Sequence, residues 1–166
     1  MIKDSKGYIW SGGYYNLKCI DPRKNTVRLY PGVNTVTAIE EKDTNFMWVG
    51  TATGLFLLNR NSGEYQYILM PVESTYINTL YQANDGLLYI GTNGSGVLIY
   101  DPGNMSFEHY YADNSALVSN SIYTILPEMN GQIMMSTENG ITSFSIEKRS
   151  FHNWSREPVS YTHLRA

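Results

Sequence analysis

A motif that returns four times at near-constant spacing, short strands within each return and an aromatic-rich, weakly charged composition together predict an all-β fold of β-propeller blades. The returns are GYIWSGG, FMWVGTATGLFLLN, LLYIGTNGSGVLIYD and QIMMSTENGITSFS, anchored at Trp10, Trp48, Tyr89 and Met134 with intervals of 38, 41 and 45 residues. A period of about 40 residues with several strands per unit is the signature of four-stranded sheets arranged radially. Such a unit cannot bury both of its faces alone, so neighbours must pack on one another. Aromatics at 13%, with 14 tyrosines, suit a pleated, half-buried surface.

Turn chemistry sets the strands of each unit, labelled A to D with A nearest the axis. The first unit opens on the A–B turn Asp4-Ser5-Lys6-Gly7 and supplies strands B, C and D over about residues 8–30, with almost no strand A. In the second unit, near 33–68, the A–B turn is Asp43-Thr44-Asn45, with Asn45 standing where a left-handed glycine is expected. The third unit, near 76–110, is the clearest: INTLYQA, Asn84-Asp85-Gly86, LLYIGT, Asn93-Gly94-Ser95-Gly96, VLIYD, Pro102-Gly103-Asn104 and SFEHYY. The fourth, near 121–154, turns at Asn130-Gly131, and the B–C turns end in Gly54, Gly96 and Gly140. Strands A are expected to be the most buried, with Ile39, Leu80 and Ile125 in the core and Trp48 and Tyr89 between blades.

Together these make about four four-stranded antiparallel blades, near 1–30, 33–68, 76–110 and 121–154, within a propeller segment spanning 1–157. Propellers close with about four to eight blades, so the array is either a minimal ring or an open segment of a larger one. The tail 158–166, PVSYTHLRA, fits neither a strand D nor a new strand A and reads as disordered or not native to the array.

Composition excludes several function classes. The net charge is −3 with no basic run longer than Arg23-Lys24, which argues against nucleic acid as a partner. Cys19 is the single cysteine and reads as a small buried apolar residue. No apolar run reaches membrane-spanning length, and MIKDSKGYIW lacks the apolar stretch of a signal peptide. Phosphate loops, Cys/His metal spacing and nucleophile elbows are missing from the pattern, so no cofactor, metal site or catalytic residue is assigned. His109, His152 and His163 are far apart, the first two on outermost strands D. Glu40-Glu41 is the only adjacent acidic pair, and neighbours on a strand point to opposite faces, so a glycosidase-type dyad is not expected.

The recurring Trp10, Trp48, Tyr89 and Met134 occupy one structural phase and read as packing. A binding surface is better placed where B–C turns and D–A linkers converge, since loops escape the packing constraint. That face should carry Tyr14, Tyr15, Asn16, Asn34, Thr53, Tyr76, Asn93, Ser95, Glu138 and Asn139. From this set Tyr14, Tyr15, Asn16, Tyr76, Asn93, Glu138 and Asn139 are the candidate ligand-binding residues. Aromatic faces stack on sugar rings while amides and carboxylates bond hydroxyls. Ordinary polar loop tips and strand-end tyrosines would account for the same residues without a ligand.

The strand Trp48-Val49-Gly50-Thr51 followed by Gly54-Leu55, and Tyr89-Ile90-Gly91-Thr92 with Tyr100-Asp101-Pro102, resemble the two-component regulator propeller repeat. The linker Asp113 to Ile122 is similar to that family's inter-blade signature, and the likeness runs over about residues 7–154. The first blade departs from it with Ser11-Gly12-Gly13 and the fourth with Met135-Ser136-Thr137. The resemblance implies the periplasmic sensor region of a bacterial hybrid two-component histidine kinase, with this chain as part of a seven-bladed propeller. It further implies recognition of an oligosaccharide or other small ligand, signalling to kinase modules outside the chain and contacts with the remaining blades, while a homodimer is an expectation of the scaffold reading that follows. A non-catalytic interaction or dimerisation scaffold is the alternative, and a propeller lyase or hydrolase stands behind both.

Overall fold

The computed structural model describes residues 1–154; the tail 158–166 and its His163 lie outside them. Sixteen strands form four separate four-stranded antiparallel sheets, each meandering in sequence order. Blade 1 holds β1 (Ile2–Lys3), β2 (Ile9–Ser11), β3 (Tyr15–Asp21) and β4 (Thr26–Asn34). Blade 2 holds β5 (Val36–Glu41), β6 (Phe46–Thr51), β7 (Gly54–Asn59) and β8 (Tyr65–Ile68). Blade 3 holds β9 (Ile77–Gln82), β10 (Leu88–Thr92), β11 (Val97–Asp101) and β12 (Ser106–Tyr110). Blade 4 holds β13 (Ile122–Met129), β14 (Gln132–Thr137), β15 (Gly140–Ser145) and β16 (Ser150–Trp154). The sheets are open, with no helix among the described residues. The first strand A, β1, is a two-residue stub, as the sequence implies.

Three apolar clusters fill the three interfaces between consecutive blades. Trp10, Leu17, Cys19 and Tyr30 of blade 1 meet Ile39, Met47, Val49 and Leu58 of blade 2. Trp48 and Leu55 of blade 2 meet Leu80, Leu88, Ile90 and Leu98 of blade 3. Tyr89, Val97 and Ile99 of blade 3 meet Ile125, Ile133, Met135 and Phe144 of blade 4. Blades 2 and 3 therefore contribute one face to the sheet before and the other to the sheet after, blades 1 and 4 one face each, and Cys19 is a small buried apolar residue of the first interface.

The Gly-Thr pair of the repeat has a physical explanation at both positions. A Cβ on Gly50 would lie 2.7 Å from Ile77 Cγ2, and one on Gly91 would lie 2.8 Å from Ile122 Cγ2. The glycine is thus the hole into which the first β-branched residue of the next blade's strand A fits. The threonine closes the B–C turn: Thr51, Thr92 and Thr137 donate their hydroxyls to the carbonyls of Gly54, Gly96 and Gly140 at 3.0, 2.8 and 2.9 Å. Blade 1 has Gly13 in place of this threonine, and its turn takes another form.

Two expectations need correction. Strands A are not the most buried: Ile39 is the one fully buried residue of β5, whereas every residue of β10 and Met47–Thr51 of β6 are buried. In blades 2 and 3 strand B lies mid-sheet and is covered on both faces by neighbouring blades, while strand A presents an edge to the axis. Ile39, Leu80 and Ile125 are nonetheless core, as are Trp48 and Tyr89. Asn45 does not adopt the left-handed conformation expected of it. Instead the Asp43 carboxylate accepts from the N–H groups of Asn45 and Phe46 at 2.8 and 3.0 Å, holding the turn without positive φ.

Candidate functional site

The B–C turns and D–A linkers share one face, on which each linker hydrogen-bonds at least one of the turns beside it. Thr35 N donates to Tyr14 O at 3.0 Å and Ala52 N to Thr35 O at 3.2 Å. Asn93 N donates to Tyr76 O at 2.9 Å, Gly94 N and Gly96 N donate to Asn120 O, and Glu138 N donates to Ser121 O at 3.2 Å. The lattice has two parts: Tyr14, Thr35 and Ala52 across blades 1 and 2, and Tyr76, Asn93, Asn120 and Glu138 across blades 3 and 4.

The side chains on that lattice divide into two groups. Asn139 Nδ2 donates to Val118 O at 3.1 Å and Ser95 Oγ to Ser74 O at 3.0 Å, so these side chains serve the loops themselves, while Asn16 contributes a backbone φ of 61° at the register shift of β3. Tyr15 pairs with Asn34 across the same shift. Tyr14 and Tyr15, by contrast, are each 69% exposed and stack edge to face with centroids 4.8 Å apart. Glu138 and Thr53 are exposed on turns of blades 4 and 2. The tyrosine pair stands where blade 1 lacks the closing threonine.

A cleft of about 310 Å³ opens on this face between the linker into blade 3 and the rim of that blade. Glu73, Ser95, His109, Tyr111 and Asn120 line it, with Pro71 and Val72 as its apolar side. His109 Nε2 lies 2.7 Å from Ser95 O and its ring lies 4.9 Å from that of Tyr111. Of the face residues named from sequence only Ser95 lines this cleft. Glu73 and Tyr111, in the D–A linkers on either side of blade 3, and His109 on its strand D carry nothing in the repeat pattern that sets them apart from other polar loop and edge residues. Tyr14 and Tyr15 on blade 1 and Glu138 on blade 4 do not line it.

A second cavity, of about 290 Å³, faces the axis and is lined by Ile2, Gly12, Thr37, Glu40, Asn78 and Thr79 among others. Its polar groups are largely committed: Asn78 Nδ2 donates to Ile122 O at 2.9 Å and Thr37 Oγ1 to Gly50 O at 3.2 Å. Glu40 accepts from Gln82 N at 3.2 Å, and burial, reinforced by the neighbouring Glu41 charge, pushes its carboxyl above the usual range. Glu41 turns the other way, accepting from Ser5 and Arg60. The two carboxylates diverge, as alternation on a strand requires.

Residues 71–94, from the linker into blade 3 to its B–C turn, match a family model described as two component regulator propeller. No curated protein sequence matches the chain. Among solved structures, the extracellular domain of the putative hybrid two component system BT3049 from B. thetaiotaomicron is similar, with a TM-score of 0.78 and 16% identity over 93% of this chain and 24% of that one. The extracellular domain of BT4673, a putative hybrid two component system of the same organism, gives 0.78 and 20% over 97% of this chain and 22% of that one. A virginiamycin B lyase from Staphylococcus aureus gives 0.73 and 12% over 92% of this chain and 53% of that one. This chain thus spans about a quarter of the length of the two-component neighbours. At these identities the likeness establishes the propeller fold, and the family match is confined to residues 71–94.

Proposed function

We propose that this chain is a ligand-sensing segment of the propeller of a bacterial two-component sensor. The observation that carries the reading is the family match over residues 71–94, set in a chain where blade 2 repeats both the Gly hole and the Thr-closed turn, blade 1 keeps the hole at Gly12 and blade 4 keeps the threonine at Thr137. The proposed ligand is an oligosaccharide or a similar small molecule, met in the periplasm at the face of B–C turns and D–A linkers. Exposed Tyr14 and Tyr15 supply stacking faces there, and Glu138 supplies a hydroxyl acceptor. Remaining blades and a histidine kinase module of the parent would receive the signal and set transcription. For that to happen, binding must favour one packing of blades or one dimer geometry over another, since only differential affinity shifts an equilibrium.

The segment acts by binding and not by catalysis in this reading. The extracellular sensor neighbours support it, whereas the lyase neighbour shares fold at 12% identity. A second reading, an interaction or dimerisation scaffold, draws on the apolar outer face of blade 4, where Leu126, Ile141 and Trp154 are about half exposed. Calorimetry of the parent's extracellular region against a panel of neutral oligosaccharides, with product analysis, tests the first reading. Binding without cleavage supports it, cleavage refutes the non-catalytic role, and no binding together with a stable dimer favours the scaffold.

A further inference from the structure

At the opposite rim, formed by A–B and C–D turns, blades 1 and 2 enclose a cleft of about 320 Å³. Cross-strand register builds its wall: Trp10 pairs with Cys19 and Cys19 with Arg28, so one row of blade 1 turns all three side chains toward blade 2. The same row in blade 3 is Tyr89, Ile99 and Glu108, and there Glu108 forms a 2.6 Å ion pair with Arg149 in the C–D turn of blade 4. Blade 1 reverses the sign. Arg28 stands in the place of Glu108 and faces a C–D turn that carries Arg60, so cations lie on both sides of the gap.

Arg60 is already neutralised by Asp4 and Glu41. Arg28 is exposed, lies 4.8 Å over the Tyr30 ring and donates to the carbonyls of Arg60 and Asn61 at 3.2 and 3.0 Å. A guanidinium has five N–H donors, so most of its capacity for an oxyanion remains. Lys6 donates to Thr44 O at 2.9 Å, and Lys24 completes the basic lining. The one lining carboxylate, Asp21, is turned to Arg23 at 3.4 Å. Among the described residues no carboxylate pairs with Arg28, Lys6 or Lys24. A net positive cleft thus sits in a chain whose net charge is −3.

We propose that this cleft binds a small oxyanion-bearing ligand, a compact molecule carrying a carboxylate, sulfate or phosphate group. Arg28, Lys6 and Lys24 hold the anionic group, Thr26 and Asn61 are within the lining to bond its substituents, and half-buried Tyr8 flanks its carbon frame. Both walls belong to this chain, so the site needs no further blade. It lies away from the B–C face and does not rest on the oligosaccharide reading.

The test is calorimetry on the full chain in Tris chloride at low ionic strength, with inorganic phosphate, inorganic sulfate, glucuronate and uncharged glucose as probes. At least one anion should bind saturably, with affinity falling as salt rises, while glucose does not bind. Arg28→Gln, which installs the residue type that Gln66 supplies in the matching row of blade 2, should weaken anion binding about tenfold. Lys24→Gln, on an exposed turn, should weaken it as well, and decides the matter if Arg28→Gln fails to unfold cooperatively. Lys148→Gln, exposed on blade 4, should leave binding unchanged. The proposal is overturned if no anion binds, if Lys24→Gln and a folded Arg28→Gln both bind like wild type, or if Lys148→Gln weakens binding as much as they do.

Discussion

Asp4 and Arg60, 56 residues apart in sequence, form a buried ion pair that joins the first A–B turn to the second C–D turn. Asp4 also accepts from the Trp10 indole at 2.7 Å and from the N–H groups of Lys6 and Tyr8 at 3.0 and 2.9 Å. Arg60 in turn reaches Glu41 at 3.1 Å, and its carbonyl accepts from Tyr30 at 2.8 Å. One carboxylate therefore fixes a turn, an anchor tryptophan and the neighbouring blade. Asp4→Ala leaves Arg60 with Glu41 as its one carboxylate and strands three backbone or indole donors, and should cost about 3 kcal/mol of stability. Urea unfolding checks it, and Asp4→Ala with Arg60→Leu together should cost less than the sum of the two.

Glu40 gives a pH dependence of defined sign. Its folded-state pKa is raised above the ordinary 4.5 by burial and by Glu41. In that window the folded state holds more protons than the unfolded one, so stability falls as pH rises from about 4.5 through the raised value. Glu40→Gln keeps an acceptor for Gln82 N and removes the titration. The variant should melt higher than wild type at neutral pH and show a flatter stability profile above the ordinary carboxylate range. Thermal melts from pH 4 to 8, roughly the span in which such a shift is read, will decide this.

Gly50 offers a packing test. A Cβ there would press on Ile77 at 2.7 Å and on Ala38 at 3.2 Å, and both lie in strands held by the sheet. Gly50→Ala should lose about 1–3 kcal/mol by overpacking, and Gly50→Ala with Ile77→Val should recover part of it. Denaturant titration of the two variants is the measurement.

The fold was legible because the repeat carries it: the anchors at Trp10, Trp48 and Tyr89 and the turn glycines mark packing and chain reversal directly. Strand burial was misjudged since the ordering of strands A and B depends on how many sheets cover each, which no single unit encodes. Asn45 misled because an Asp side chain two residues earlier replaces a left-handed residue, and both solutions use the same letters. Of the loop face, Tyr14 and Tyr15 stood out through their departure from the repeat. The Arg28 cleft did not, since its sign reversal is visible only after Arg28 and Glu108 are placed in the same row by register.

Blade 4 predicts self-association. Leu55 and Val97 are fully buried at a position where Ile141 is 50% exposed, and Met134 is half-buried where Trp48 and Tyr89 are enclosed. Sedimentation velocity should show association that grows with concentration and shifts toward monomer in Leu126→Ser with Ile141→Ser. A wild-type chain that stays a monodisperse monomer at all concentrations would contradict it.

Glycan recognition by the B–C face, proposed above, is decided by calorimetry of the extracellular region of the proposed sensor with the best ligand of an oligosaccharide screen. Tyr14→Ala with Tyr15→Ala should weaken binding about tenfold through lost stacking, and Glu138→Ala should weaken it to a smaller degree, with thermal stability unchanged in both. A glycan bound equally tightly by wild type and both variants would contradict the assignment of this face.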